Sequence, residues 1–81
     1  MITYLQKGKL RKEVVTNGVS PAGSYSTTSF KTMVFPSDKE GRIDLKAEKV
    51  VWSGGKKNGM NAHSRILKEL KAEGWEEIKN V

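Results

Sequence analysis

Residues 53–75, SGGKKNGMNAHSRILKELKAEGW, decide the fold, because here a glycine- and lysine-rich loop runs into the clearest helical pattern of the chain. Ile66, Leu67 and Leu70 are three and four positions apart, so they share one face of a helix. Charged residues occupy most of the opposite face, as is typical of an amphipathic helix that packs on a core. Asn61 or Asn58 is suited to cap its start, and Gly74 is suited to end it.

A helix of about four turns is unstable alone in water, so it must pack against other elements. The remaining segments favour strands. Residues 25–36, YSTTSFKTMVFP, are rich in side chains that suit a half-buried sheet, and their second half is apolar on both faces. We therefore expect this strand in the interior of the sheet. Other candidate strands lie in four segments: 2–5, 14–15, 43–52 and 75–81. The last of these is either an edge strand or a frayed tail.

Turn signals separate these strands. Asn17 and Gly18 predict a tight hairpin turn, and residues 37–41, SDKEG, predict a second connection. Residues 46–49 interrupt the following strand as a bulge or as a turn. The fold class is α+β, with an antiparallel sheet of about three to five strands and one C-terminal amphipathic helix packed on a face. We expect residues 1–81 to form a single domain.

The charge balance points to anionic partners. Lys and Arg number 15 and Asp and Glu 9, so the net charge is +6. Such a charge favours nucleic acid, an acidic protein surface or a phosphorylated ligand, although it serves solubility equally well. The chain has no cysteine and no apolar run long enough to span a membrane, and its first residues lack the hydrophobic core of a signal sequence. These features predict a soluble cytoplasmic protein without a membrane partner.

Two lysine-rich segments are candidate binding sites for such a partner. The first contains four cations: Lys7, Lys9, Arg11 and Lys12. On a strand the first three would share one face, as in a stripe that follows phosphates, with the fourth opposite. The alternative is a solvated edge strand whose lysines block aggregation.

The second candidate segment precedes the helix and consists of Lys56, Lys57 and Asn58. Flexible glycines, two ammonium groups and the helix amides together suit an anion. The spacing matches neither the phosphate-binding loop nor the dinucleotide-binding loop. The alternative is a mobile connection with solubilising lysines.

Nothing in the chain indicates an enzyme. His63 is the only histidine, and without cysteine it cannot build an ordinary zinc site. The carboxylates show no paired spacing for acid–base chemistry. We therefore expect no catalytic residue, metal or cofactor, and a packing role for His63. Trp52 and Trp75 are able to stack on bases, but core packing is the more common use of both.

Two segments carry a resemblance. Residues 30–43, FKTMVFPSDKEGRI, resemble small proteins of unknown role that phages and mobile elements encode, and residues 67–78, LKELKAEGWEEI, resemble the ending of short bacterial and phage proteins. The resemblance implies a protein that binds and blocks host machinery, such as CRISPR and other defence complexes. It identifies no functional residue.

Three functional hypotheses follow. The first is a non-enzymatic interaction protein of phage type that binds and modulates a host protein or nucleoprotein complex. The second is a direct nucleic-acid-binding protein that uses the two lysine-rich segments. The third is a small-molecule or nucleotide-binding protein that uses the loop before the helix.

Overall fold

The computed structural model describes residues 1–19, 29–55 and 58–78. These residues form a five-stranded antiparallel sheet with helix α1, Gly59–Ala72, against one face, which confirms the α+β prediction. The strands are β1 (Ile2–Lys7), β2 (Leu10–Val19), β3 (Ser29–Pro36), β4 (Lys49–Gly54) and β5 (Glu76–Ile78). Their order across the sheet is β4-β3-β2-β1-β5. The helix is therefore followed by one further strand, at the edge beside β1.

The main core lies between the sheet and α1. Leu5, Val14 and Val34 come from three neighbouring strands and pack against Ile66 of the helix. Their alternation along each strand places them on one face, and the helical spacing turns Ile66 toward them. Half-buried side chains surround this cluster: Val51, Leu67, Leu70 and Trp75. The helix thus packs by the apolar stripe that its periodicity predicts.

A second, smaller core lies on the opposite face of the sheet. Val15, Met33 and Phe35 are buried there, and Ile43 packs against them. Ile43 reaches this face through the connection after β3, where it forms a bridge with Ser37. Burial on both faces explains why β3 is apolar on both sides, and its position between β2 and β4 confirms the prediction of an interior strand.

The first turn differs from its prediction. Asn17 and Gly18 lie inside β2, paired with Lys31 and Phe30 of β3. The tight turn is instead at residues 8–9, where Gly8 adopts a φ of 63°. A two-residue turn preference is weaker than the ladder that β2 forms with β3, because every paired residue adds hydrogen bonds and side-chain contacts.

The later connections resolve the alternatives that the sequence leaves open. Residues 37–41 form the predicted turn, which Gly41 closes with a φ of 85°. A short 3₁₀ helix, Leu45–Ala47, precedes β4, so this segment is a turn. A bulge does occur, but further on, opposite Thr32 and Met33. None of the described helices is long and apolar enough to cross a membrane.

Candidate partner-binding surface

The four cations of the first hairpin do not form one stripe. Lys7 pairs directly with Leu10 across the turn, so it shares the helix-facing side of the sheet with Lys12. Arg11 alternates to the opposite side. The prediction that Lys7, Lys9 and Arg11 share a face is therefore wrong, because the tight turn at residues 8–9 separates them into two strands and a loop.

Lys7 and Lys12 hold the end of α1. The Lys7 Nζ donates a hydrogen bond of 2.7 Å to the carbonyl of Glu73, where a cation also complements the negative end of the helix dipole. The Lys12 ammonium lies 4.9 Å from the centroid of the Trp75 ring, within the range of a cation–π contact. Both ammonium groups thus stabilise the docked helix.

Strand pairing brings a second loop beside the hairpin. The Arg11 amide donates a 2.8 Å hydrogen bond to the Ser37 Oγ. The Lys9 carbonyl lies 2.8 Å from the point where a Cβ on Gly41 would stand, so the two loops are in close contact. We call residues 7–12 and 37–42 together the basic end. Its charged residues are Lys7, Lys9, Arg11, Lys12, Asp38, Lys39, Glu40 and Arg42.

The two carboxylates of the basic end are occupied within their own turn. Asp38 accepts hydrogen bonds of 2.9 Å from the amides of Glu40 and Arg42. The hydrogen bond from the Arg42 amide lowers the pKa of Asp38 more than any other contact. Glu40 pairs with the Arg42 guanidinium at 3.1 Å. Six cations against two occupied carboxylates leave this end with +4 of the net charge of +6.

Lys39 and Arg42 are the cations that sequence reasoning missed. They belong to the segment 37–42, SDKEGR, which is read locally as a turn. The available signal is the pairing of β2 with β3, in which Lys12 stands opposite Pro36. That register places the residues after β3 beside the β1–β2 hairpin. The two loops are therefore recognisable as neighbours only when the strand pairing is known.

The predicted site before α1 is described only in part. Lys56 and Lys57 lie outside the described residues. Asn58 occupies the N-cap position of α1, but its side chain makes no hydrogen bond to the helix amides. The Asn58 side chain instead lines a groove between β4 and α1. We call this the Trp52 groove; its described lining residues are Trp52, Asn58, Asn61, Ala62 and Arg65, and its volume is about 320 Å³.

His63 is buried within a chain of hydroxyl groups, with only 3% of its surface exposed. Its Nε2 lies 2.9 Å from the Thr3 Oγ1 and its Nδ1 2.7 Å from the Thr16 Oγ1. The Thr16 Oγ1 is in turn 2.7 Å from the Thr32 Oγ1. Burial, assisted by the ammonium of Met1, lowers the pKa of His63. Both ring nitrogens are therefore engaged inside the protein, as expected for a packing residue.

The described part of the chain holds no cluster of three or more His, Cys, Asp or Glu side chains with metal-site geometry. Comparison of the chain with protein-family models, curated proteins and solved structures found no match. Among the described residues, the basic end and the Trp52 groove each bring exposed positive charge together with a defined surface.

Proposed function

We propose that this chain is a non-enzymatic interaction protein of phage type, which binds a host protein or nucleoprotein complex and modulates or inhibits it. A defence complex such as a CRISPR effector is an example of such a partner. The observation that carries the proposal is the basic end, where two loops far apart in sequence concentrate cations at one end of the molecule.

The chemistry of the basic end suits a nucleoprotein partner. Within the described residues, Lys9, Arg11 and Lys39 take part in no ion pair, and all three are exposed. Nucleoprotein complexes present phosphates and acidic side chains, and complementary charge accelerates encounter and orients docking. A guanidinium such as that of Arg11 also binds phosphate or carboxylate in a bidentate manner.

A pair of charge-reversed variants tests this proposal. Lys9→Glu with Lys39→Glu changes the basic end, whereas Lys46→Glu with Lys68→Glu makes the same change elsewhere; each double reversal takes the net charge from +6 to +2. Tagged proteins are used to purify partners from bacterial host extract, with and without nuclease, and the retained proteins are quantified. We expect the basic-end variant to lose a partner that the control variant keeps.

Equal losses in both variants would contradict the proposal, since they would show that only total charge matters. Thermal unfolding of each variant confirms that the fold is intact. A partner that is retained after nuclease treatment is held by protein–protein contacts. This result would distinguish the proposal from direct nucleic-acid binding.

Direct nucleic-acid binding is the second candidate, and the unpaired cations of the basic end favour it. In that case affinity for a labelled DNA duplex falls steeply with salt, and the basic-end variant reduces the slope by about 1 for each lost phosphate contact. Nuclease treatment then removes every retained partner. A salt slope that is unchanged by the basic-end variant would exclude this candidate for the basic end.

A further inference from the structure

The Trp52 groove lies on the helix side of the sheet, at the start of α1 and away from the basic end. Trp52 stands opposite Thr32 in the β3–β4 register, and the bulge beside it lets both Val51 and Trp52 face the helix. Asn61 and Arg65 project from α1 one turn apart, as residues four positions apart do on a helix. The groove therefore has an aromatic wall on the sheet and a polar wall on the helix.

The Trp52 indole has a defined place because of Gly54. A Cβ at Gly54 would come within 2.6 Å of the Trp52 Cζ2 atom, whereas a Cβ at Gly55 would have no atom within 4 Å. The ring thus lies across the Gly54 backbone and remains half-buried. A half-buried indole keeps part of its surface open to the groove.

The polar groups of the groove are cationic or neutral. Arg65 belongs to no ion pair among the described residues, and the described lining residues include no carboxylate. The Asn58 carboxamide makes no capping hydrogen bond to the helix amides. The groove, about 320 Å³ in volume, is thus lined by an aromatic surface, two carboxamides and a guanidinium.

We propose that the Trp52 groove binds a single unpaired nucleobase together with its phosphate. The indole supplies a stacking surface, a carboxamide pairs with the donor and acceptor on the edge of a base, most favourably adenine, and the guanidinium binds phosphate. The base belongs to a nucleic-acid strand or to a free nucleotide, since both present the same chemistry. This site shares no residue with the basic end and does not depend on its function.

Fluorescence tests the site directly. In the Trp75→Phe protein, Trp52 is the only tryptophan, so its emission reports on the groove. The probes are a ten-nucleotide oligodeoxyadenylate, the same strand in a duplex with oligothymidylate, and AMP. We expect the single strand to quench Trp52 and to bind more tightly than the duplex, whose bases are already stacked. If AMP quenches Trp52 as strongly as the single strand does, the base that the groove binds belongs to a free nucleotide.

Matched substitutions separate the groove from general charge. Arg65→Gln and Lys68→Gln each remove one cation from exposed positions of α1, but only Arg65 lines the groove. We expect Arg65→Gln to weaken binding of the single strand by about tenfold and Lys68→Gln by less than about twofold. Trp52→Leu removes the stacking surface together with the fluorescent reporter, so its affinity is measured by the fluorescence anisotropy of an end-labelled strand and should be about 5-fold to about 150-fold weaker.

A second matched pair tests the position of the indole without removing it. Gly54→Ala displaces the Trp52 ring, whereas Gly55→Ala has open space for its Cβ, so only the first should reduce quenching and affinity. Absence of quenching by all three probes would overturn the proposal. So would equal effects of Arg65→Gln and Lys68→Gln, or equal affinity for single strand and duplex, measured in variants that melt cooperatively.

Discussion

At the scale of single residues, His63 shows how a polar side chain is accommodated in so small a core. A neutral imidazole has one donor and one acceptor nitrogen, and the hydroxyls of Thr3 and Thr16 satisfy both. Among the described buried side-chain atoms, none lacks a hydrogen-bond partner. A protonated ring would have two donors and a charge to bury, next to the ammonium of Met1, so the fold selects the neutral form.

This selection makes stability depend on pH. The folded pKa of His63 lies below the ordinary value of 6.5, so between those two values the unfolded chain binds more protons. The stabilisation by neutral His63 is complete above about 6.5 and is lost as the pH falls through this window, by at most about 1.4 kcal/mol per pH unit. Urea unfolding at a series of pH values from about 7.5 to about 5 measures the effect.

The His63→Gln variant is the control for this prediction. Glutamine is also a donor and acceptor but does not titrate, so its unfolding midpoint should change little over the same range. Asp38 has a lowered pKa as well, but its stabilisation is lost only near and below its ordinary value of 3.8. Parallel pH profiles for the parent and His63→Gln would refute the assignment. Partner binding should survive in His63→Gln, because His63 is not at the surface.

At the scale of elements, the spacing of apolar residues in the sequence predicts which faces of the helix and strands are buried. The stripe at Ile66, Leu67 and Leu70 identifies the docking face of α1, and the two-sided apolar pattern identifies β3 as an interior strand. Asn17 and Gly18 mislead because their local turn preference competes with pairing to a strand that lies ten or more residues away in the chain. Such long-range pairing is not visible in a local window of sequence.

The burial of these residues ranks their contributions to stability. Ile66 is 8% exposed and sits in the middle of the main core, so Ile66→Ala should lower the free energy of unfolding by about 2–5 kcal/mol. Leu70 is only half-buried at the edge of the same cluster, so Leu70→Ala should fall at or below the lower end of that range. Urea unfolding of both variants checks the order.

Lys68→Ala, on the exposed face of α1, is the matched control and should change the free energy of unfolding by no more than about 0.5 kcal/mol. A larger loss for Leu70→Ala than for Ile66→Ala would show that the helix is rotated from the described orientation.

The end of α1 provides a backbone prediction. Gly74 has a φ of 101°, and the amides of Gly74 and Trp75 bond to the carbonyls of Lys71 and Leu70, both at 3.1 Å. This pattern is a Schellman motif, which requires a left-handed residue and turns Trp75 back onto the core. It confirms the prediction that Gly74 ends the helix.

Gly74→Ala should therefore destabilise the protein by about 1–2 kcal/mol, the cost of a left-handed alanine. The new Cβ would also lie 3.3 Å from the Lys7 Cε and press on the side chain that caps the helix. Gly55→Ala, with neither a positive φ nor a nearby atom, should be close to neutral. Thermal unfolding compares the two, and similar melting temperatures would argue against a strained glycine at position 74.

At the scale of the whole molecule, the sequence gives the amount of charge but not its location. Lys7, Lys9, Arg11 and Lys12 form one basic segment of the sequence, yet the turn between β1 and β2 divides them. The basic end exists only after the connection following β3 is folded against that hairpin. The Trp52 groove likewise forms between β4 and α1. The sequence shows its lining residues but not that they line the same groove.

The uneven charge leads to a prediction for the intact protein. Three ion pairs occur among the described residues, and all have exposed side chains, so each contributes at most about 1 kcal/mol. The basic end opposes these pairs, because its cations repel one another in the folded state. Salt screens both the ion-pair attraction and the repulsion between cations. The screening length is about 8 Å at physiological ionic strength.

Since the chain carries a net charge of +6, repulsion should outweigh the three exposed pairs, and raising NaCl from about 0.02 M to about 0.2 M should raise the melting temperature of the parent protein. Lys9→Gln with Lys39→Gln removes two of the repelling cations from the basic end, so its melting temperature should be higher at low salt and less sensitive to added salt. Lys46→Gln with Lys68→Gln removes the same charge from dispersed positions and should resemble the parent more closely. A melting temperature of the parent that falls with salt would mean that the ion pairs outweigh the repulsion, and that the cations of the basic end are too far apart to act together on a partner.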